Sequence, residues 1–112
     1  MSTSCIIALY SKSDNEIILL EKTHDGFFET VKFLLREAVT ECGYDLEYIA
    51  NYLIKKTDVR FSIYSHKYPR FVFLFSIDNN HFSELEIDPN INKIKECLPI
   101  IEKAIQLYNK LS

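Results

Sequence analysis

A chain of 112 residues is long enough for one hydrophobic core and too short for two comfortable ones, so a single domain spanning residues 1–112 is expected. Hydrophobic residues make up 47%, with eight Phe and seven Tyr against only two Gly and three Pro, which excludes a disordered or low-complexity chain. The net charge of -3 argues against a nucleic-acid binder, which needs surplus Lys and Arg to neutralise phosphates, and suits a basic partner.

In chain order, Cys5–Tyr10 is a short apolar run led by β-branched residues and is expected to be a strand. The polar residues Ser11–Asn15 form a turn, their short side chains bonding to their own backbone. Glu16–Glu21 returns as the second strand of a hairpin. Asp25 is the expected N-cap of a helix in which Phe28, Val31, Leu35, Ala38 and Cys42 recur at spacings of three and four, with Phe27 and Leu34 widening the stripe. Gly43 ends it, as glycine does where a chain turns left-handed. Asp45 caps a second, shorter helix with Leu46, Ile49, Ala50, Leu53 and Ile54 inward, closed by Lys55 and Lys56 on the side favoured by the helix dipole.

After a turn at Thr57 and Asp58, Val59, Phe61 and Ile63 alternate with Arg60, Ser62 and Tyr64, the pattern of a half-buried strand. A turn at Lys67–Pro69 leads to Phe71–Ile77, whose one polar side chain is Ser76. That run is far short of the roughly 20 residues of a membrane span, and is expected to be a strand buried on both faces. A turn at Asn79–His81 precedes a further strand, Phe82–Ile87, with Leu85 and Ile87 on one face and Glu84 and Glu86 on the other. The three strands of Val59–Ile87 are therefore expected to form an antiparallel meander with the apolar strand in the middle, where no exposed edge invites aggregation. Asp88 and Pro89 open a last helix, which continues through Ile91, Ile94, Leu98, Ile101, Ile105, Tyr108 and Leu111 and should kink at Pro99.

The expected fold class is α+β: a single antiparallel sheet of about five strands, in the order ββ-αα-βββ-α, covered by helices. This element order resembles the longin and roadblock group of profilin-like domains, which run two strands, helix, three strands, helix; the helix from Asp45 to Lys56 is additional. The resemblance implies an adaptor in trafficking or GTPase regulation, self-associating through a sheet edge or a helix.

Catalytic motifs are not found. Gly26 and Gly43 cannot build a glycine-rich phosphate loop, and neither a Gly-x-Ser-x-Gly elbow nor a His-Glu-x-x-His helix occurs. Cys5, Cys42 and Cys97 are odd in number, widely spaced and on apolar positions, so reduced core thiols are expected rather than zinc ligands or nucleophiles. No cofactor and no metal are expected. His24, His66 and His81 lie in or beside turns, and His66 and His81, flanking the middle strand of the meander, should sit at opposite ends of the sheet. Residues 1–4 lack the basic start of a signal peptide and the apolar run after them is too short for a signal core, so a cytoplasmic protein is expected.

Charge is unevenly distributed. Lys55, Lys56, Arg60, Lys67 and Arg70 face one acid, Asp58, in the same stretch, with Tyr64 and Tyr68 interleaved; this is the stretch a nucleic acid would use, or else a lysine-protected sheet edge. Asp78, Glu84, Glu86 and Asp88 form an acidic segment without a base. Glu37, Glu41, Asp45 and Glu47 form another, with Tyr44 and Tyr48 among them. Clustered acids speed encounter with a basic protein and tyrosines supply contact area. The leading expectation is a non-enzymatic inhibitor of the immunity-protein or antitoxin type, which covers a basic toxin or nuclease with Glu37, Glu41, Tyr44, Asp45, Glu47 and Tyr48. The longin- or roadblock-like adaptor is the second expectation and a nucleic-acid-binding module the third.

Overall fold

The computed structural model describes residues 3–61, 71–78 and 81–87, together with residues 99, 101–103, 105–107 and 110 of the C-terminal segment. Its elements are β1 (Cys5–Ser11), β2 (Glu16–Lys22), α1 (Phe28–Cys42), α2 (Leu46–Lys56), β3 (Val59–Phe61), β4 (Phe71–Asp78) and β5 (His81–Ile87). The described residues from 99 onward are helical and make a third helix. The expected helix start at Asp88 and Pro89 lies outside the described residues, as does Cys97.

The five strands form one mixed sheet in the order β3-β2-β1-β4-β5. The β1–β2 hairpin has the expected antiparallel pairing, from Cys5 opposite Lys22 to Ser11 opposite Glu16. Its turn is held as expected by a short polar side chain on the backbone, Ser11 Oγ accepting the Asp14 N–H at 3.4 Å, with Ser13 Oγ 3.2 Å from the same oxygen.

The antiparallel meander is not what the chain forms, and the sheet is not wholly antiparallel. β4 pairs in parallel with β1, Cys5 opposite Phe71 and Leu9 opposite Phe75, and antiparallel with β5. β3 crosses to the far edge and pairs with β2. Sequential strands usually neighbour one another, and here a stronger demand prevails. β1 and β4 are apolar on both faces and need cover on both, so they take adjacent central places. β3 carries Arg60 and a half-exposed Phe61 and tolerates an edge. Phe73 to Ile77 are buried at every position, as expected of a strand covered on both sides. The inference that His66 and His81 lie at opposite ends rested on the meander and falls with it; His66 lies outside the described residues.

Helices α1 and α2 cover one face. Cys5, Ile7, Leu9, Leu20, Phe73, Phe75 and Ile77 from the sheet join Val31, Leu35 and Ala38 from α1 and Leu46, Ile49, Ala50 and Leu53 from α2 in one apolar cluster. Phe28 fits between two strand residues, its ring centroid 5.4 Å from that of Phe73 and 6.0 Å from that of Phe75, and such pairs add to plain burial. On the other face Ile6, Ala8, Tyr10, Leu74 and Ser76 are buried too. Among the described residues left to cover it are those of the C-terminal helix, where Ile101 is buried.

Asp45 caps α2 as expected, its carboxylate accepting the Tyr48 N–H at 3.1 Å. Asp25 does not cap α1. It adopts a left-handed φ of 51°, and the N-cap is Phe27, with no side-chain cap. The cause is tertiary. The Gly26 N–H donates to the Thr3 carbonyl at 2.8 Å, and a Cβ on Gly26 would come within 2.9 Å of Cys5. The chain must hug the start of β1 there, and the helix starts later.

Leu35 and Phe33 separate burial from composition on the same helix. Leu35→Ala is expected to cost about 2–5 kcal/mol in urea denaturation, whereas Phe33→Ala, at a position 67% exposed, should stay within about 0.5 kcal/mol. Equal losses would show that the helix is oriented otherwise.

Candidate functional site

Three residues, 43–45, join α1 to α2, so the two helices fold back on each other as a hairpin. Their inner faces are spent on the sheet, and their outer faces meet solvent. A cross-helix contact fixes the register: the Tyr52 hydroxyl donates to Glu37 Oε1 at 2.8 Å. That bond, with burial and the charges of Glu37 and Glu41 behind it, pushes the Tyr52 phenol up to about 12 and keeps it a donor. Lys56 Nζ lies 5.9 Å from the centre of the Tyr52 ring, within cation–π range.

All six residues expected to bind a partner are exposed and lie around this hairpin. The geometry gives them different duties. Asp45 is engaged as the α2 cap and Glu37 by Tyr52. Glu41 and Glu47 make no hydrogen bond or ion pair among the described residues. Glu47 stands in the first turn of α2, where the helix dipole favours an acid. Glu41 stands in the last turn of α1, which holds no base, so its charge opposes the dipole at a cost of roughly 0.3–1 kcal/mol. Tyr48 is 65% exposed and Tyr44 is exposed on the turn. Phe33, off the inward stripe of α1, adds a third exposed ring. Its displacement from the spacing of Phe28, Val31, Leu35 and Ala38 is legible in the sequence. Tyr52 was not, because its partner is fifteen positions away.

The other charged stretches are described only in part. In the basic one, Lys55 and Lys56 are exposed, Arg60 Nη2 donates to Glu21 at 2.9 Å, and Asp58 is tied inward; residues 62–70 lie outside the described residues. In the second acidic one, Asp78, Glu84 and Glu86 fall within β4 and β5, and Asp88 lies outside the described residues.

Asp58 is the centre of a second polar cluster that single-sequence reading missed. Lys22 Nζ donates to Oδ1; the Thr23 hydroxyl at 2.9 Å and the His24 N–H at 2.6 Å donate to Oδ2. His24 Nδ1 lies 3.3 Å from the same oxygen. Burial alone would raise the Asp58 pKa, but the bonds from Lys22, Thr23 and His24 outweigh it and hold the carboxyl well below its usual range. Lys22 is nearly enclosed, its side chain 6% exposed, so Asp58 is what makes that burial tolerable. Cys5 stands opposite Lys22 across the strands. Burial pushes its thiol up to about 12, against the nearby Lys22 charge, which leaves a poor nucleophile. The cluster clamps the end of β2 to the turn before β3.

No group of three or more His, Cys, Asp and Glu among the described residues is arranged to hold a metal ion. No helix among them is long and apolar enough to cross a membrane. No protein-family model matches the chain, and no curated protein and no solved structure is significantly similar to it.

The Asp58 cluster has a pH signature. The folded pKa lies below the unfolded one, so its contribution is fully present above the unfolded value near 4 and is lost as pH falls through the folded value. Asp58→Asn should therefore cost about 1–3 kcal/mol at neutral pH, and the gap to wild type should narrow below about pH 4. Urea denaturation of both proteins from neutral to acid pH measures it; a gap that does not narrow would place the stabilisation elsewhere.

Proposed function

We propose that the chain is a non-enzymatic protein-binding domain, an inhibitor of the immunity-protein or antitoxin type that covers a basic surface of a toxin or nuclease with the outer face of the α1–α2 hairpin. The observation that carries the reading is the state of Glu41: an uncompensated carboxylate at the wrong end of a helix, beside exposed tyrosines, with no bond of its own. A charge held against the helix dipole is a cost to folding, and binding is what a basic partner would return for it. Glu47, also free, and the rings of Tyr44 and Tyr48 supply the rest of the contact. Glu37 and Asp45, engaged within the fold, act as fixed negative charge at the rim. Cytoplasmic action goes with this reading, since Cys5 and Cys42 are free thiols.

The test separates binding from stability in the same variants. Affinity capture with the wild-type domain should retain a basic protein, more weakly as salt rises. The double change Glu41→Lys and Glu47→Lys should abolish that capture. Glu41→Lys alone should at the same time raise folding stability by about 0.3–1 kcal/mol. Undiminished capture by the double variant would remove the α1–α2 face from the reading.

A further inference from the structure

The hairpin geometry says more about what this face would hold. Glu37 on α1 meets Tyr52 on α2. One helical turn toward the connecting loop from each of these brings Glu41 across from Tyr48; one turn away from it brings Phe33 across from Lys56. The face is thus a short ladder in which Glu37 and Glu41 on α1 stand across from Tyr52 and Tyr48 on α2, with the exposed Phe33 beside Lys56 at the end away from the loop. The middle rung is already filled from within: Tyr52 bonds Glu37, and Lys56 lies over the Tyr52 ring. The rung of Glu41 and Tyr48 is open. Its carboxylate has no hydrogen bond or ion pair and its ring no ring contact among the described residues.

We propose that this open rung is a seat for an arginine side chain on a basic segment of the partner, with Phe33 as the second contact along the same face. The inference rests on the reading of this face as a protein-binding surface and names the chemistry of what it binds. Charge complementarity selects a cation, because no base interrupts the stretch from Glu37 to Glu47. The pairing of a carboxylate with a ring selects between the two cations. A guanidinium is planar: it donates a fork of two N–H groups to a carboxylate while its face lies against an aromatic ring. An ammonium is a compact, strongly hydrated charge and gains less from the ring. The protein's own lysines already place cations over rings at the margin of the core, with Lys56 over the half-buried Tyr52 and Lys32 5.7 Å from the centre of the half-buried Phe28 ring. Tyr48, at the first turn of α2, presents an equivalent ring to solvent.

Fluorescence anisotropy with two labelled peptides tests this on the whole chain. One peptide alternates Arg with Ala, and its twin has Lys at every Arg. The Arg peptide is expected to bind roughly fivefold to tenfold more tightly. Tyr48→Ala should remove that preference and Phe33→Ala should weaken binding, each with an unchanged circular dichroism spectrum. Tyr48→Phe should keep the preference, because the ring and not the hydroxyl carries it. Phe61→Ala, which removes an exposed ring at the far sheet edge, should change nothing. Equal binding of both peptides, or binding of neither, overturns the arginine seat, and so does a preference that survives Tyr48→Ala. Capture of a basic partner that depends on Glu41 and Glu47 would then still stand by itself. An arginine preference without any captured partner would uphold the seat and sink the inhibitor reading.

Discussion

The parallel pairing of β1 with β4 is the constraint on which the rest of the structure depends. Each strand is apolar on both faces, so each must be covered from both sides and flanked on both edges. Two such strands satisfy one another best side by side in the middle of the sheet. The hairpin from β1 then places β2 outside it, β5 closes the other flank, and the short polar β3 is left for the edge. The layers follow from the same demand. α1 and α2 take one face, and the C-terminal helix is among the described residues free to serve the other. Because the inner sides of α1 and α2 are committed to Ile7, Leu9, Phe73 and Phe75, their outer sides face solvent.

Polar groups divide into those that hold the fold and those that stand free of it. Asp58 belongs to the first kind. It satisfies a nearly enclosed ammonium and two donors from the same strand end, and removing it would strand a charge. Glu21, itself buried and paired with the exposed Arg60, does similar work on the same edge. Asp45 and Glu37 are intermediate, being exposed yet bonded within the α1–α2 hairpin. Glu41 and Glu47 carry no bond within that hairpin; Glu47 is favoured by the α2 dipole and Glu41 is opposed by that of α1. The contrast within one helical pair, more than the total of negative charge, is what draws attention to this face.

Much of the fold was legible in the sequence, and the failures have a physical pattern. Period and composition located every described element, because they report which side chains must be buried. The Asp45 cap and the Gly43 stop were readable because they are contacts within a few residues. Strand partners were not readable in this way. Burial on both faces says that Phe71–Ile77 needs neighbours and is silent about which, so the expectation fell to the nearest strands in sequence and missed β1. Asp25 failed as a cap for the same reason in reverse, since a local preference yielded to the approach of Gly26 to Thr3. At the candidate site the exposed acids and tyrosines could be listed from sequence, and Phe33 could have joined them. Which acids were free could not, because Tyr52 and Glu37, like Lys22 and Asp58, meet only after the chain has folded.

The picture is of a rigid sheet carrying one hairpin whose outer face is left free by packing and kept charged against helix preference. Amide chemical-shift mapping during titration with a basic partner captured by the domain addresses that picture most directly. The shifts should concentrate between residues 33 and 48, with β1 and β4 unmoved. Shifts confined to the β3 edge or to the β1–β2 turn, with residues 33–48 unchanged, would contradict it.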